Sequence, residues 1–491
     1  MTPTPEQLAI VEAAKASQDN LIIEALAGAA KTTTLTLIAR ALPNTPILAI
    51  AFNKRIADEM ATRLPPNTTS KTLNAVGHRA WADQTRRRLI LNKDKAYEAF
   101  KAHLDELKNQ KNFEERSRLF EQQGDILKAV RLAKTWGWRP NDHFPGSKSL
   151  VDDEEFFLRI NEAFDDDVDR SMVKSLVVTS IKQAYQGVID FDDQIYMPTL
   201  FGGQWPKFPL VLIDEAQDLS PINHAMLDRL VTQRLIAVGD PYQSIYGFRG
   251  AQSGSMAALQ RRYNMTKLGL SVSFRCPIAV IEKARSRAPH MQWPEWAIQG
   301  EVNLLTEWTA DTIPDQSAII CRNNAPLLHM ALQLLKDGRG AQLVGMDLGP
   351  QLIKTLKKMG DESLTREQVH EKIDQWKAER LKKGKNIASI TDKAECLKVF
   401  ADFGNTLGGA IAYAEHIFQS RGAIQLLSGH KSKGLEWDVV YHLDPHRIPG
   451  KFAQGGEELE QEANVRYVIE TRPKKVLNLV TTEGYVGKSS E

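Results

Sequence analysis

Two short stretches carry residue types suited to handling a chain of phosphates. The first is Ala25-Leu26-Ala27-Gly28-Ala29-Ala30-Lys31-Thr32. Small residues there let backbone N–H groups close on phosphate oxygens, while Lys31 offers a cation to the β- and γ-phosphates and Thr32 a hydroxyl to magnesium. The second is Asp214-Glu215, which ends the apolar run Val211-Leu212-Ile213. One carboxylate there suits a magnesium ion, the other an attacking water. Within the same 40-residue region, Gln243 suits a γ-phosphate sensor, and Tyr246 and Phe248 offer aromatic faces beside Arg249.

Each stretch alone has a plainer reading, the acidic pair as a solvated turn and the loop as an ordinary strand-to-helix turn. Their joint presence, in this order, favours phosphate chemistry. The loop departs from the phosphate-binding pattern at one letter, Ala30, where the pattern asks for glycine. If the backbone there needs φ > 0, alanine costs about 1–2 kcal/mol.

Such groups need rigid elements to aim them. Asn20-Leu21-Ile22-Ile23-Glu24 reads as a buried strand feeding the loop, and an amphipathic stretch to Leu42 reads as the helix behind it. Ile47 to Phe52 and Val211 to Ile213 read as further buried strands, whose C-terminal ends are where α/β sheets bind nucleotides. Strands and helices alternate again from about 270 to 340. The stretches between these regions are helical and charged, the first opening on Arg86-Arg87-Arg88 and the second carrying Lys354, Lys357, Lys358, Lys377, Lys382 and Lys383. The predicted class is α/β: two parallel-sheet cores, each with a mainly helical insertion. The predicted division is 1–85 and 186–275 for the first core around an insertion at 86–185, and 276–340 and 420–491 for the second around a short insertion at 341–419. A mobile nucleotide cleft between the cores is expected.

With 491 residues, 42% apolar and 25% charged, the chain can bury large cores and divides into two to four domains. Cys276, Cys321 and Cys396 lie far apart without metal-ligand spacing, which fits a reducing compartment and packing roles. No basic region followed by an apolar stretch opens the chain, and no apolar run approaches the ~18 residues needed to span a bilayer. A cytoplasmic protein, without a membrane partner, is expected. The net charge of +2 neither favours nor excludes nucleic acid.

The motifs, taken in order, resemble superfamily 1 DNA helicases of the UvrD/Rep/PcrA type, most of all the F-box DNA helicase branch and its phage or bacterial relatives. Thr4-Pro5-Glu6-Gln7, Ala51-Phe52-Asn53-Lys54-Arg55-Ile56-Ala57, Lys71-Thr72-Leu73-Asn74-Ala75 and Asp190-Phe191-Asp192-Asp193 are similar to family segments of the first core. Gly239-Asp240-Pro241-Tyr242-Gln243-Ser244-Ile245-Tyr246-Gly247-Phe248-Arg249-Gly250 is the most diagnostic match. In the second core the resemblance rests on Ser273-Phe274-Arg275, Cys321-Arg322-Asn323-Asn324, His430-Lys431-Ser432-Lys433-Gly434-Leu435-Glu436, and Glu462 to Val468 with Thr471-Arg472.

The resemblance implies that the two parallel-sheet cores are RecA-like P-loop cores, and it implies ATP and Mg2+ as cofactors. It implies Gln7 as adenine reader, Phe274 as a stacking face in place of the usual tyrosine, and Ala27, Gly28, Ala29, Ala30, Lys31, Thr32, Thr33 and Glu436 as further nucleotide contacts. Thr32 and Asp214 would hold magnesium, Glu215 would orient water, and Arg275 and Arg472 would stabilise the transferred phosphoryl group. Phe52, Asn53, Thr72, Tyr246, Phe248, Arg249 and His430 would contact single-stranded DNA; the plainer reading of the three aromatics is as core residues, and for Phe52, which ends a buried strand, the two readings are evenly matched. Movement from 3′ to 5′ with duplex unwinding is implied, on single strands and single/double-strand junctions. A monomer in a bacterial or phage-infected cytoplasm, working with a recombination or replication protein, completes that expectation.

Two rival functions remain open: a nucleotide-gated DNA-binding protein that scarcely hydrolyses ATP, and a translocase that strips recombinase without separating strands. Pro473 follows Arg472 where the family usually carries alanine. Asp152-Asp153-Glu154-Glu155 and Asp165-Asp166-Asp167 read as solvated faces rather than a nuclease centre. Trp136 and Trp138 read as core residues in preference to a duplex wedge, and the Lys/Arg-rich insertions read equally as solvated faces or duplex-binding surfaces.

Overall fold

The computed structural model describes residues 2–140, 143–144, 149–164, 167–245, 254–345, 348–383, 387–453 and 455–488. It divides into two compact units, one of Met1–Ala25 with Ala30–Leu270 and one of Leu26–Ala29 with Ser271–Glu491.

In the first unit the strands are β1 (Leu21–Ala25), β2 (Ile47–Ala51), β3 (Thr68–Thr72), β4 (Ile90–Leu91), β5 (Val188–Ile189), β6 (Leu210–Ile213), β7 (Arg234–Gly239) and β8 (Thr266–Leu270). Six of them form one parallel sheet in the order β3-β2-β6-β7-β1-β8. The central strands are near-continuous buried apolar runs, which only a sheet covered on both faces can accommodate. The edge strands β3 and β8 alternate or expose polar residues, as strands with one open side do.

Between β3 and β6 the chain makes a helical body with its own core. Its helices include Lys95–Asn109, Gln123–Trp136, Asp153–Ala163 and Arg170–Tyr185, and the short parallel pair β4-β5 lies beside them. Phe100, Ile126, Phe156, Val173 and Ile181 are fully buried there. Trp138 stacks on Phe156 with ring centroids 4.1 Å apart, and Trp136 is buried too, so both tryptophans are packing residues.

A charged knot also lies in this body. Lys134 pairs with Asp190 at 2.5 Å and Asp193 at 2.7 Å, and Lys95 pairs with Asp193. Lys95, Lys134 and Asp193 are all removed from water. Burial pulls the Lys134 ammonium down, but Asp193 and Asp190 outweigh it and hold the group above its usual range. The knot joins the inserted helices to the helix Asp193–Phe201, which packs on the helix Leu73–Thr85 behind β3.

The second unit repeats the plan with β9 (Glu301–Leu304), β10 (Ala318–Cys321), β11 (Ala341–Leu343), β12 (Ile424–Ser428), β13 (Trp437–Leu443) and β14 (Pro473–Val480). These are parallel in the order β11-β12-β10-β13-β14-β9. Four helices, Gly349–Lys357, Arg366–Lys383, Ile387–Gly404 and Leu407–Gln419, fall between β11 and β12. Leu397, Phe400 and Ala414 of these helices share one continuous apolar core with Ile424 and Leu426 of the sheet. The fold is thus two RecA-like α/β cores, each interrupted by helices. β4 and β11 are short strands inside stretches that read as helical.

Candidate nucleotide and nucleic-acid site

The helix Lys31–Ala41 begins directly after the loop, with Ala30 as its N-cap at φ 55°, ψ 43°. Position 30 is therefore left-handed, the conformation that the pattern's glycine would adopt without strain and that alanine resists. Thr32 and Lys31 occupy the first turn of that helix. Thr32 Oγ1 donates to Asp214 Oδ2 at 2.8 Å, and Lys31 Nζ lies 3.1 Å from Glu215 Oε1.

Asp214 and Glu215 follow the buried strand β6, and the Asp214 N–H donates to Ile50 O of β2. Glu215 is also left-handed, at φ 55°. Its N–H donates to Asp214 Oδ1 at 2.9 Å, which fixes the two carboxylates relative to each other. Burial, and then the Glu215 charge, push the Asp214 carboxyl up to about 6. Burial also pulls the Lys31 ammonium down, but Glu215, Asp240 and Asp214 more than compensate and hold it above its ordinary value.

The sequence gives Gln217 and Asp240 no separate role, yet both are central to the geometry. Gln217 Nε2 donates to Glu215 Oε2, the Asp240 N–H donates to Gln217 Oε1 at 3.0 Å, and Gln243 Nε2 donates to Asp240 Oδ2 at 2.7 Å. A hydrogen-bonded line therefore runs from Lys31 through Glu215, Gln217 and Asp240 to Gln243. Gly239, which ends β7, admits it, because a Cβ there would lie 2.5 Å from Gln217 Oε1. The only sequence signal was the glutamine two places after Glu215.

Gln7 is buried with both ends of its amide engaged. Oε1 accepts from the Thr4 N–H, completing a capping box, and Nε2 donates to Thr34 Oγ1, each at 3.0 Å. Reading an adenine edge would require one of these bonds to be exchanged. Thr33 is exposed one residue beyond the Lys31–Thr32 pair.

In the second unit, Arg275 Nε donates to Glu436 Oε2 at 2.7 Å. Phe274 is half-buried, with its ring 6.1 Å from that of Trp296. Arg472 is only 1% exposed. Its guanidinium donates to Val468 O at 2.7 Å, Leu435 O at 3.3 Å and Thr471 Oγ1 at 3.2 Å. The helix Gly456–Glu470 stops before it and Pro473 opens β14, a position where a missing N–H is tolerated. Leu26–Ala29 also group with this unit, where the Ala27 N–H donates to Tyr467 Oη at 2.9 Å and the Phe274 N–H to Gly28 O at 2.9 Å. Gly28 is left-handed at φ 78°, and a Cβ on it would meet Ser273 Oγ at 2.6 Å.

Of the residues expected to meet single-stranded DNA, Phe52 lies just past β2 and is 54% exposed, an open aromatic rather than a core one. Asn53 and Thr72 cap the helices Lys54–Arg63 and Leu73–Thr85, accepting from Ile56 N–H at 3.0 Å and Ala75 N–H at 3.1 Å. Phe191, read only as part of a motif, is 57% exposed, and Asn74 Nδ2 donates to its carbonyl at 2.8 Å. The nearby carboxylates Asp190 and Asp193 turn into the buried knot. His430 sits half-buried in the short helix Gly429–Ser432 after β12. Tyr246, Phe248 and Arg249 lie outside the described residues.

Among the described residues no group of three or more His, Cys, Asp or Glu could enclose a metal by itself. The adjacent hard oxygens of Thr32 and Asp214 fit a different kind of site, in which Mg2+ takes one or two protein oxygens and completes its shell from water and phosphate. No helix among the described residues is long and apolar enough to cross a membrane.

Residues 4–264 match the family model described as the UvrD/REP helicase N-terminal domain. The chain is 25% identical to F-box DNA helicase protein 1 of Schizosaccharomyces pombe, covering 98% of this chain and 58% of the relative. It is 23% identical to F-box DNA helicase 1 of Gallus gallus, covering 93% and 46%, and 23% identical to the putative ATP-dependent DNA helicase YjcD of Bacillus subtilis, covering 61% and 56%. The chain thus spans about half the length of these relatives. With more than half of its residues inside the matched domain, and with the strand, loop and acidic pair in that domain's order, the chain belongs to the UvrD/REP helicase family.

Proposed function

We propose that the protein is an ATP-dependent DNA helicase or translocase that couples hydrolysis to 3′-to-5′ movement on single-stranded DNA and to duplex unwinding. The observation that carries this reading is the hydrogen-bonded line from Lys31 to Gln243 beside the Thr32–Asp214 pair. Phosphoryl transfer needs charge neutralisation and positioning more than covalent help. Lys31 neutralises phosphate oxygens, and Glu215 orients the attacking water. Gln243 senses the γ-phosphate and passes its loss along Asp240 and Gln217. Thr32 and Asp214 would hold Mg2+, which when bound supplies further charge neutralisation at the phosphates. Arg275 and Arg472 stabilise the transferred group, and Phe274 and Gln7 recognise the base.

Phe52 and Phe191 offer open π-faces to bases, and Asn53, Thr72 and His430 hold the backbone. Tyr246, Phe248 and Arg249 belong to the same reading through their motif. Because stacking is available to every base, such a surface suits a motor indifferent to sequence. The six-part division around two insertions, a monomeric state, single/double-strand junctions as substrates and a recombination or replication partner belong to the same proposal.

The test is ATP hydrolysis with and without single-stranded DNA, followed by strand displacement on duplexes with 3′ or 5′ tails. Stimulated hydrolysis with displacement only from 3′ tails is the expected result. Displacement only from 5′ tails would reverse the polarity, and hydrolysis without displacement would leave translocation alone. A second reading, a nucleotide-gated DNA-binding protein with little hydrolysis, is favoured by the strained Ala30. No stimulation in the native chain, together with its appearance in Ala30→Gly, would establish that reading instead.

A further inference from the structure

A cleft of the first unit lies away from the phosphate loop, at the C-terminal end of the helix Leu73–Thr85, and has a volume of about 530 Å³. Arg79, Arg86, Arg87 and Arg88 line it, with His78 and Gln204. Asp83 is its one carboxylate, and Arg79 already engages it at 2.7 Å. Arg86, Arg87 and Arg88 are exposed and make no ion pair with a described residue. Other surface arginines of this unit, such as Arg118, Arg131, Arg159 and Arg262, each face an acid. Three adjacent uncompensated guanidinium groups repel one another, so an anion entering the cleft is attracted by all three.

The backbone holds them there whether or not a ligand is bound. Arg86 caps the helix in the left-handed conformation at φ 52°, and the Arg87 N–H donates to Ala82 O at 3.3 Å. The Ile90 N–H donates to Gly187 O at 2.8 Å, where φ is 96°, and a Cβ on that glycine would press on Arg88 O at 3.2 Å. On the far wall the Gln204 N–H donates to Ala80 O at 3.0 Å. The turn is pinned on both sides.

We infer that this cleft binds the phosphate backbone of double-stranded DNA. Guanidinium groups match phosphate oxygens in geometry as well as charge. The wall carries no Phe, Tyr or Trp, and its only ring, His78, is half-buried and hydrogen-bonded to Gln194 at 3.2 Å. A single strand would find nothing to stack on, whereas a duplex keeps its bases inside and presents phosphates. The cleft is therefore an anchor without sequence preference, separate from the single-strand surface at Phe52 and Phe191 and independent of the nucleotide reading.

The test uses the whole chain, a blunt duplex of about 20 base pairs, and an oligo-dT of equal length, with anisotropy read across roughly 50–200 mM salt. The variant is Arg86→Asn with Arg87→Gln and Arg88→Gln, asparagine being chosen because it tolerates φ > 0. Duplex affinity at low salt falls about tenfold or more, the log–log salt slope becomes shallower by about 2.5–3, and single Arg88→Gln shifts it by about 0.9. Oligo-dT affinity and ATP hydrolysis stay at the native level. The proposal is overturned if the native chain does not bind the duplex, if the triple variant binds it with an unchanged slope, or if duplex and oligo-dT weaken together. It is overturned equally if Lys354→Gln with Lys358→Gln and Lys372→Gln, which removes three exposed cations elsewhere, weakens the duplex as much. Displacement of the duplex by polyglutamate at equal charge would assign the cleft to an acidic peptide and end the nucleic-acid reading.

Discussion

The two units have the same frame, six parallel strands interrupted by helices, but they attach those helices in different ways. In the first, the inserted helices bury a core of their own around Phe156 and Val173, while the sheet buries another around Val211, Ile213 and Leu235. In the second, the inserted helices and the sheet share a single core. The join in the first unit is marked by the Lys95–Asp193–Lys134–Asp190 knot, whereas the second is joined by apolar side chains such as Phe400 and Leu426. The strand ends differ as well. β1, β6 and β7 of the first sheet lead into the phosphate loop, the acidic pair and Asp240. β10 of the second leads into Arg322, which is clamped on Glu462 at 2.6 Å. A shared architecture thus carries no chemistry by itself, which comes from what is set on the strand ends.

The largest effect is expected at the knot. Lys134→Ala leaves Asp193 and Asp190 buried without their main partner, which costs about 3–5 kcal/mol. The inserted helices of the first unit should then lose amide-exchange protection before the sheet does, because their cores are separate. Phe400→Ala costs a similar ~3–5 kcal/mol through a cavity, yet sheet and helices of the second unit should lose protection together. Identical exchange patterns in the two variants would erase the contrast.

Next comes the strand-end chemistry. Lys31→Ala should lower DNA-stimulated hydrolysis about 10²–10³-fold, since the side chain acts on phosphate charge, and should lower the urea midpoint most at neutral pH, where it leaves Glu215, Asp240 and Asp214 without their cation. Arg472→Ala should lose stability for a different reason, since its partners are neutral oxygens and not carboxylates. The guanidinium is buried and bonded to two carbonyls and a hydroxyl, so its loss should cost roughly 2–3 kcal/mol of stability as well as activity. Unchanged stability in Arg472→Ala would free this arginine to act on phosphate alone.

Asp214 gives a pH signature confined to the first unit. Its folded carboxyl is raised from 3.8 to about 6, so between those values the folded chain binds more protons than the unfolded chain. The stability it contributes is fully present below about pH 4 and is lost as pH rises through about 6. Asp214→Asn should therefore be more stable than the native chain at pH 8, with the gap closing below pH 4 in urea melts, while hydrolysis is abolished. In the native chain, magnesium affinity should weaken as pH drops below about 6, because the ion binds the carboxylate and not the acid. A gap that persists at low pH would remove the titration from the explanation.

Much of this was legible in the sequence because its cause was local. Buried parallel strands appear as unbroken apolar runs, and small residues before Lys31-Thr32 announce the loop. What depended on distant partners was not legible. Lys95 and Lys134 look like ordinary solvated lysines, since the acids that bury them lie far along the chain. Gln217 and Asp240 gain their roles only when the ends of β6 and β7 come together. Phe52 could not be decided, because a residue at a strand end faces the core or water according to where pairing stops. β2 stops at Ala51. The restraint on Arg472 was likewise invisible, as its partners Leu435 and Val468 come from the turn before β13 and from the preceding helix.

The smallest effect is expected at Ala30, where the comparison can be sharpened to one methyl group. At φ 55° the Cβ costs about 1–2 kcal/mol in the folded loop. Glycine removes that strain but loses more chain entropy on folding, about 0.4–1 kcal/mol, so Ala30→Gly should stabilise the chain by no more than about 1.6 kcal/mol. The effect on nucleotide should follow the same direction, with binding tightened about fivefold at most, because a relaxed loop presents its N–H groups without first paying for the left-handed turn. Thermal melts with and without ATP separate the two contributions. A gain only in the free chain would make the strain purely structural, and a gain that grows with ATP would place it in nucleotide binding. A loss of stability would mean that the loop leaves the left-handed region in solution, and the alanine would then cease to distinguish this phosphate loop from the glycine-bearing form.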